Sequence, residues 1–331
     1  MRRATFLLLG AMPFVAARAV RAQTEADPAS SSLRPALRVL LGTGAATPSS
    51  ADTFDFNGRP YRGSYQQLAN GQIVNVVDLE QYLYSVVSRE MPAGWPSVAL
   101  EAQAVCARTY VLVRSDPRRA YDLVPSELDQ RYDGIAAETP AGIAAVDATS
   151  RGVLSFGGAF AQVAYSSCCG GHTESSSDAW GKASPPYLGG VVCQWCMDSP
   201  NYRWTTSLGF DAIGASLATS LPAASRLSDL RVSERDGSGR ARFFELVSDR
   251  GTVVVGGSAF RRAVGSRVLR SLLVTNIERA PDGSSVAIAG GGLGHGVGLC
   301  QWGARGMALA NRRASDIFAL YFPGTVVKNF T

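Results

Sequence analysis

In YLYSVVSREMPAGWP, residues 82–96, one carboxylate closes an apolar segment. Just before and within it, apolar side chains recur with the spacing of a helix that buries one face. These side chains are Leu79, Tyr82, Leu83, Val86 and Val87. The next position on that stripe is Glu90, and Pro92 keeps the residue before it out of helical geometry. The pattern predicts a helix from about Asp78, its N-cap, to Glu90, with an acid on the buried face.

The predicted surroundings of Glu90 are apolar, because Met91 and Trp95 follow it directly. Removal from water disfavours the charged form of a carboxyl group and raises its pKa. A carboxylic acid with a raised pKa is able to donate a proton near neutral pH. Glu90 is therefore a candidate general acid; the alternative is a structural role, in which it frays at the helix end or pairs with Arg108.

A second helix is predicted over SVALEAQAVCARTYVLVR, residues 97–114. Its buried stripe has small residues that allow close packing against a neighbour. The stripe consists of Leu100, Ala104, Ala107 and Val111. Arg108 follows that stripe at its margin, where it could hold a carboxylate or a substrate hydroxyl; an ordinary surface arginine is the alternative.

The remaining pattern predicts an α+β fold: one large mixed domain over residues 37–331, with a substrate groove and a β-rich lobe near 205–280. Asn70-Gly71 indicates a hairpin, and Gly157-Gly158 separates two short apolar strands. A helix is expected near residues 258–268.

The N-terminus indicates export. Residues 1–22 place two arginines before an apolar run and end in small residues, as in a secretory signal cleaved before Gln23. The run is too short for a stop-transfer helix, so no stable membrane span is expected after cleavage; a retained N-terminal anchor is the alternative. Residues 23–36 are polar and read as a linker. The expected location is the periplasm, the cell wall or the medium.

The net charge does not point to a polyanionic partner. The formal net charge is +5, but the predicted signal holds four arginines and no acid, so its removal leaves +1. A nearly neutral chain without a long basic block gives no argument for nucleic acid or an anionic membrane surface.

Two chelating pairs stand out among the six cysteines. Cys169-x-x-His172 and Cys193-x-x-Cys196 have the spacing of a structural zinc site, and four protein ligands would close it to water. Disulfides are the alternative, because exported cysteines are usually oxidised. A glycine-rich loop, GGGLGHGVG at residues 290–298, leaves His295 free to face a groove.

Taken together, these segments resemble the stage II sporulation protein D (SpoIID/LytB) family of exported cell-wall proteins. The resemblance rests on QYLYSVVSREMPAGWP, ALEAQAVCARTY, SSCCGGHTE with DAWG and YLGGVVCQWC, and GHGVGLCQWGARGMA with YFPG. It extends in the family's order from about residue 37 to 331. It implies a lytic transglycosylase that cleaves the MurNAc-β-1,4-GlcNAc bond of peptidoglycan glycan strands and leaves 1,6-anhydroMurNAc ends.

The resemblance also implies roles for single residues. Glu90 corresponds to the catalytic acid and base, while Arg108, Tyr110, His295 and Gln301 correspond to positions expected to bind substrate. A further set matches positions that bind zinc in some members: Cys169, His172, Cys193 and Cys196. One departure is Leu299-Cys300, where Met-Ser is common. A second hypothesis is a non-catalytic, glycan-binding enhancer of a cell-wall amidase, since some members are described in that way.

Overall fold

The computed structural model describes residues 36–221 and 225–330. The predicted signal and the linker, apart from residue 36, lie outside the described residues. Over the described chain, helices and mainly antiparallel sheets occur together, which confirms the α+β class. The chain divides into two compact units, a larger unit of residues 36–202 and 293–330 and a smaller unit of residues 203–292.

The helices of the described residues follow the predicted periodicity closely at the start of the chain. They are α1 Leu79–Glu90, α2 Ser97–Arg114, α3 Pro140–Ala148, α4 Ser176–Trp180, α5 Phe210–Ser216, α6 Gly257–Val264, α7 Gln301–Leu309 and α8 Ala314–Tyr321. None of these helices is both long and apolar enough to cross a membrane.

The strands are short. They are β1 Leu37–Thr43, β2 Ala46–Pro48, β3 Thr53–Phe56, β4 Arg59–Arg62, β5 Ser64–Gln67, β6 Gln72–Val77, β7 Gly152–Phe156, β8 Ala159–Phe160, β9 Tyr165–Ser166, β10 Trp204–Gly209, β11 Leu227–Arg235, β12 Ala241–Ser248, β13 Gly251–Gly256, β14 Val274–Arg279, β15 Ser285–Gly290, β16 Leu299–Cys300 and β17 Val326–Asn329. The predicted hairpin at Asn70-Gly71 joins β5 to β6, and Gly71 has the positive φ of 79° that such a turn requires.

The larger unit holds four small sheets with strand orders β1-β6-β5, β2-β3-β4, β17-β7-β8 and β16-β9. The last pair is parallel, with Tyr165 opposite Leu299 and Ser166 opposite Cys300. This pairing brings a segment from the middle of the chain beside one near its end. It therefore joins the cysteine-rich region to the start of α7.

Helix α2 lies at the centre of the larger unit and contacts α1, α3, α7, α8 and β7. Its small buried residues let these neighbours approach; they include Ala99, Ala102, Ala104 and Ala107. On α1, Leu83 and Val86 are fully buried, and each such side chain stabilises the fold by about 1.5–3 kcal/mol relative to an exposed one.

The smaller unit has its own hydrophobic core and two sheets, with strand orders β10-β15-β14 and β11-β12-β13. Phe244 on β12 and Phe260 on α6 lie at the centre of this core, with ring centroids 4.5 Å apart. The helix expected near residues 258–268 is α6, which ends earlier, at Val264.

Candidate active site and cysteine cluster

Glu90 lies at the C-terminal end of α1, as its sequence predicts. The Asp78 side chain caps the helix by accepting hydrogen bonds from the backbone N–H groups of Glu80 and Gln81 at 2.8 and 3.2 Å. Met91 has extended backbone angles and donates its N–H to Val87, which closes the last turn. The helix thus ends where Pro92 requires, with the Glu90 carboxyl group at the edge of the core.

Gln301 meets Glu90 from the opposite end of the sequence. Its Nε2 donates to Glu90 Oε2 at 3.0 Å, and the same nitrogen lies 3.4 Å from Oε1 of Gln103. Gln103 is fully buried on α2, and Gln301 is the first residue of α7. Side chains from α1, α2 and α7 therefore meet at the Gln301 amide.

Burial raises the pKa of Glu90 above its ordinary value, and this is the largest effect on the group. The Gln301 hydrogen bond, the positive charge of Arg131 and the Arg131 backbone N–H act in the opposite direction, and Glu127 adds a small upward contribution. Desolvation prevails, so the neutral acid is favoured over a wider pH range than in water. This is the property that a general acid requires.

Two buried tyrosines, Tyr82 and Tyr165, lie near enough to Glu90 for its charge to affect their pKa values. Tyr82 donates its hydroxyl to Gln130 Oε1 at 3.1 Å. Burial, with a smaller contribution from the charge of Glu90, raises the pKa values of Tyr82 and Tyr165 well above the ordinary range. These tyrosines remain neutral at any physiological pH.

Tyr110 lies near the same phenols, but its hydroxyl donates to Asp129 Oδ1 at 3.1 Å, and the Arg114 guanidinium lies 5.0 Å from its ring centroid. Burial raises its pKa as well. The partly exposed Tyr110 ring remains a candidate for substrate contact, whereas its hydroxyl already has a partner.

Arg108 does not occupy the position expected from its sequence. Its side chain is fully buried and binds both carboxylate oxygens of Glu80, at 2.8 and 2.6 Å, together with the carbonyl oxygens of Val146 and Gly152. A side chain without exposed area does not contact a glycan, so the expected substrate contact is corrected to a structural role. The alternative pairing of Arg108 with Glu90 is also wrong, because Glu80 takes that place.

His295 lies in the glycine-rich loop beside α4. Its Nδ1 accepts the backbone N–H of Val297 at 3.0 Å, and its ring packs on Trp180 with centroids 5.4 Å apart. An accepting Nδ1 places the ring proton of the neutral imidazole on Nε2. Trp180 is half exposed, so Trp180 and His295 form an aromatic surface. The hydrogen bond to the Glu90 carboxyl comes from Gln301 and not from His295.

Four buried cysteines form a cluster that could hold a metal ion: Cys169, Cys193, Cys196 and Cys300. We call this set the four-cysteine cluster. Its sulfur atoms lie within 4.8 Å of one another, and the Sγ atoms of Cys169 and Cys196 are 3.6 Å apart. Zinc–sulfur bonds of 2.3 Å in a tetrahedron separate the sulfur atoms by about 3.8 Å. The cluster therefore has the dimensions of a tetrahedral thiolate site.

His172 is not a member of this cluster, which corrects the ligand set expected from Cys-x-x-His spacing. Its Nδ1 hydrogen-bonds to the carbonyl oxygen of Thr173 at 2.6 Å. Cys300 takes the fourth position, because the β9–β16 pairing brings it to Cys169, whose N–H donates to Cys300 Sγ at 3.2 Å. Linear spacing did not reveal this contact, since it joins residues 131 positions apart.

The neighbours of the sulfur atoms fit a thiolate site. Gly303 N–H donates to Cys300 Sγ at 3.3 Å, and the Tyr321 hydroxyl lies 3.0 Å from Cys193 Sγ. Such hydrogen bonds stabilise negative sulfur and orient metal ligands. All six cysteines are free thiols in this structure, and a sulfur separation of 3.6 Å is far from a bond of about 2.05 Å.

Sequence comparisons identify relatives of this chain. The family model described as "Stage II sporulation protein" matches residues 68–156, which include Glu90, α1 and α2. Stage II sporulation protein D of Bacillus subtilis (strain 168) is 27% identical over 276 residues, covering 77% of this chain and 76% of that protein. An uncharacterized protein of Brachyspira hyodysenteriae is 32% identical over 285 residues, covering 84% of this chain and 75% of the relative. The chain belongs to the SpoIID family.

Another relative of this SpoIID family chain is named "Amidase enhancer", from Bacillus subtilis (strain 168). It is 29% identical over 297 residues, which cover 75% of this chain but only 40% of that longer protein. A second model, "Domain of unknown function (DUF8618)", matches residues 194–298 and so includes the smaller unit.

Sequence reasoning missed Gln103, although a signal was present. Gln103 follows Leu100 by three residues and precedes Ala107 by four, so it is a polar side chain on an apolar stripe, as Glu90 is on α1. Tyr165 was missed too, and it has no comparable signal. Its proximity to Glu90 depends on the β9–β16 pairing.

Proposed function

We propose that this SpoIID family chain acts on the cell wall as a lytic transglycosylase, cleaving the MurNAc-β-1,4-GlcNAc bond of peptidoglycan glycan strands. The observation that carries the proposal is a mostly buried glutamate with a raised pKa, held by a neutral amide donor. Predicted export is consistent with such a substrate.

Glu90 would perform both proton transfers. The neutral carboxyl group donates its proton to the glycosidic oxygen as the bond to the anomeric carbon breaks. The resulting carboxylate then removes the proton from the C6 hydroxyl of the same muramic residue. The hydroxyl oxygen bonds to the anomeric carbon and closes the 1,6-anhydro ring. No enzymic nucleophile is needed, in contrast to a retaining glycosidase with two carboxyl groups.

Gln301 suits this cycle because its amide does not change charge. Since Nε2 donates to Oε2, the acidic hydrogen of neutral Glu90 belongs on Oε1, which is then the oxygen that serves the substrate. After proton transfer, the same N–H stabilises the carboxylate. Tyr110 and the aromatic surface of Trp180 and His295 are proposed to contact the glycan.

The four-cysteine cluster is proposed to hold zinc in a structural role. Four thiolates complete a tetrahedral shell and leave no open position for a substrate or a reactive water. The ion would contribute folding free energy, and no proton transfer requires it.

Product chemistry tests the proposal. Purified mature protein is incubated with glycan strands, both with and without stem peptides, and the released fragments are analysed by mass spectrometry. Anhydro ends from the wild-type chain and none from Glu90→Gln are expected. Reducing muramic ends would indicate hydrolysis and overturn the assignment.

A second candidate is a glycan-binding enhancer of a cell-wall amidase, which the name of one relative favours. An enhancer does not need the proton transfers of Glu90. Stimulation of an added cell-wall amidase that is equal with the wild-type chain and Glu90→Gln, without anhydro products from either, would favour this candidate.

A further inference from the structure

A single peptide bond, between Cys300 and Gln301, joins the four-cysteine cluster to the residue that hydrogen-bonds Glu90. Cys300 is the last residue of β16, and Gln301 is the first residue of α7. Cys300 is also the N-cap of α7, with its sulfur accepting the N–H of Gly303 at 3.3 Å. The sulfur atom available to a metal thus also caps the helix that carries Gln301.

The other three cysteines come from a segment with little regular structure. Between β9 and β10, residues 167–203 contain only α4 and one short 3₁₀ turn, Pro186–Leu188, and they supply Cys169, Cys193 and Cys196. Protonated thiols bind one another only weakly. Four metal–sulfur bonds would hold this segment and Cys300 in one geometry.

The position of Gln301 needs such support. Its side chain is almost fully buried, and its amide nitrogen lies near two acceptors from different helices, Oε2 of Glu90 and Oε1 of Gln103. A displacement of about 1 Å in the first turn of α7, away from Glu90, would break this hydrogen bond. The Gln301–Glu90 hydrogen bond is therefore sensitive to the position of Cys300.

We propose that a divalent ion in the four-cysteine cluster positions the active site, because it fixes Cys300 and thereby orients the Gln301 amide on Glu90. Cys300 is a positioning residue in this scheme, and it touches neither substrate nor Glu90. This inference rests on the proposed function only where activity is measured; metal binding and the titration of Glu90 test it independently. The ligand class is a thiophilic divalent ion, and Zn²⁺ and Co²⁺ are the probes.

Metal binding is tested first, without any activity assay. The full mature chain should carry one zinc ion by elemental analysis and show sulfur-to-cobalt charge-transfer absorption when refolded with Co²⁺. Cys300→Ser should weaken metal binding by about tenfold or more, whereas His172→Ala should leave it unchanged. Full metal binding by Cys300→Ser, or its loss in His172→Ala, would overturn the ligand set.

The positioning role is tested by a double-mutant cycle. Gln301→Leu removes the donor and should lower kcat about tenfold, with little change in KM. Cys300→Ser should produce a similar loss in the wild-type background and almost none in the Gln301→Leu background, since both changes remove the same hydrogen bond. Equal losses in both backgrounds would mean that the metal acts only on general stability, and would overturn the inference.

A measurement on the unmutated chain covers the case in which Cys300→Ser does not fold. Zinc is removed by a chelator at a temperature where circular dichroism shows that the helices persist, and the Glu90 carboxyl carbon is titrated by NMR. Metal removal should change the Glu90 titration as Gln301→Leu does, and zinc should restore it. An unchanged titration overturns the inference, even if the chain proves to have no transglycosylase activity.

Discussion

Arg108 and Glu80 form a two-pronged ion pair inside the larger unit, with Nε–Oε1 and Nη2–Oε2 distances of 2.8 and 2.6 Å. The arginine side chain is fully buried, and its remaining donors bind the carbonyl oxygens of Val146 and Gly152. This one guanidinium therefore joins α1, α2, α3 and β7.

Removal of the Arg108 side chain should make the larger unit less stable but should not change the catalytic step. Arg108→Ala leaves the Glu80 carboxylate and two carbonyl groups without their partner, which should lower the free energy of unfolding by about 3–5 kcal/mol. Urea unfolding measures this change. Activity per folded molecule should be retained at low temperature.

Arg118→Ala is the matched control, because Arg118 also pairs with a carboxylate, that of Asp116, but is almost fully exposed. Its stability should not change measurably. If folded Arg108→Ala lost turnover without a matching loss of stability, Arg108 would have a role in catalysis and the structural assignment would be wrong.

Glu90→Gln should abolish release of anhydro products while the fold is preserved. The amide has nearly the same shape but has no acidic proton to transfer, and loss of general acid catalysis typically costs about 10²–10⁴ in rate. Product release by mass spectrometry and thermal unfolding are measured side by side. Glu278→Gln, an exposed glutamate of β14, is the control and should behave as wild type.

The pH dependence of stability should also identify Glu90. Its pKa is raised above the ordinary value of 4.5, so the folded state binds this proton more tightly than the unfolded state does. The associated stability is fully present below about pH 4.5 and is lost as the pH rises through the raised pKa. Glu90→Gln has no such group.

The stability of Glu90→Gln relative to the wild-type chain should therefore increase from pH 4.5 towards neutrality, as followed by urea unfolding at each pH. A constant difference across this range would mean that the Glu90 pKa is ordinary.

A methyl group at Gly303 should disturb the cysteine cluster. A Cβ there would overlap the Tyr321 hydroxyl and approach Cys193 Sγ to 2.9 Å. Gly303→Ala should therefore lower both the melting temperature and the zinc content. Gly214→Ala on α5, where a Cβ meets nothing within 4 Å, should be neutral or slightly stabilising. Full zinc content in Gly303→Ala would mean that the cluster tolerates the shift.

Local chemistry made part of this molecule predictable. The ends of α1 and α2, the Asp78 cap and the Asn70-Gly71 turn depend on neighbours along the chain, and the structure has them as expected. The burial of Glu90 followed from helical periodicity alone. Residues far apart in sequence could not be paired in that way.

The corrections concern contacts that topology decides. Cys300 replaces His172 because a parallel two-residue pairing, β9 with β16, joins distant segments. Arg108 turns inward because the partly exposed Glu80 side chain on α1 offers its carboxylate to the buried guanidinium. Neither partner is visible in the spacing of a motif.

The larger unit is interrupted in sequence between Tyr202 and Leu293, and both residues next to the interruption lie beside one short segment. The Tyr202 ring is adjacent to Gly171, and Leu293 exchanges backbone hydrogen bonds with Cys168. Residues 203–292 are thus an insertion between two positions of the larger unit that both lie beside residues 168–171. Replacing residues 203–292 by a few flexible residues would therefore cost little loop-closure entropy.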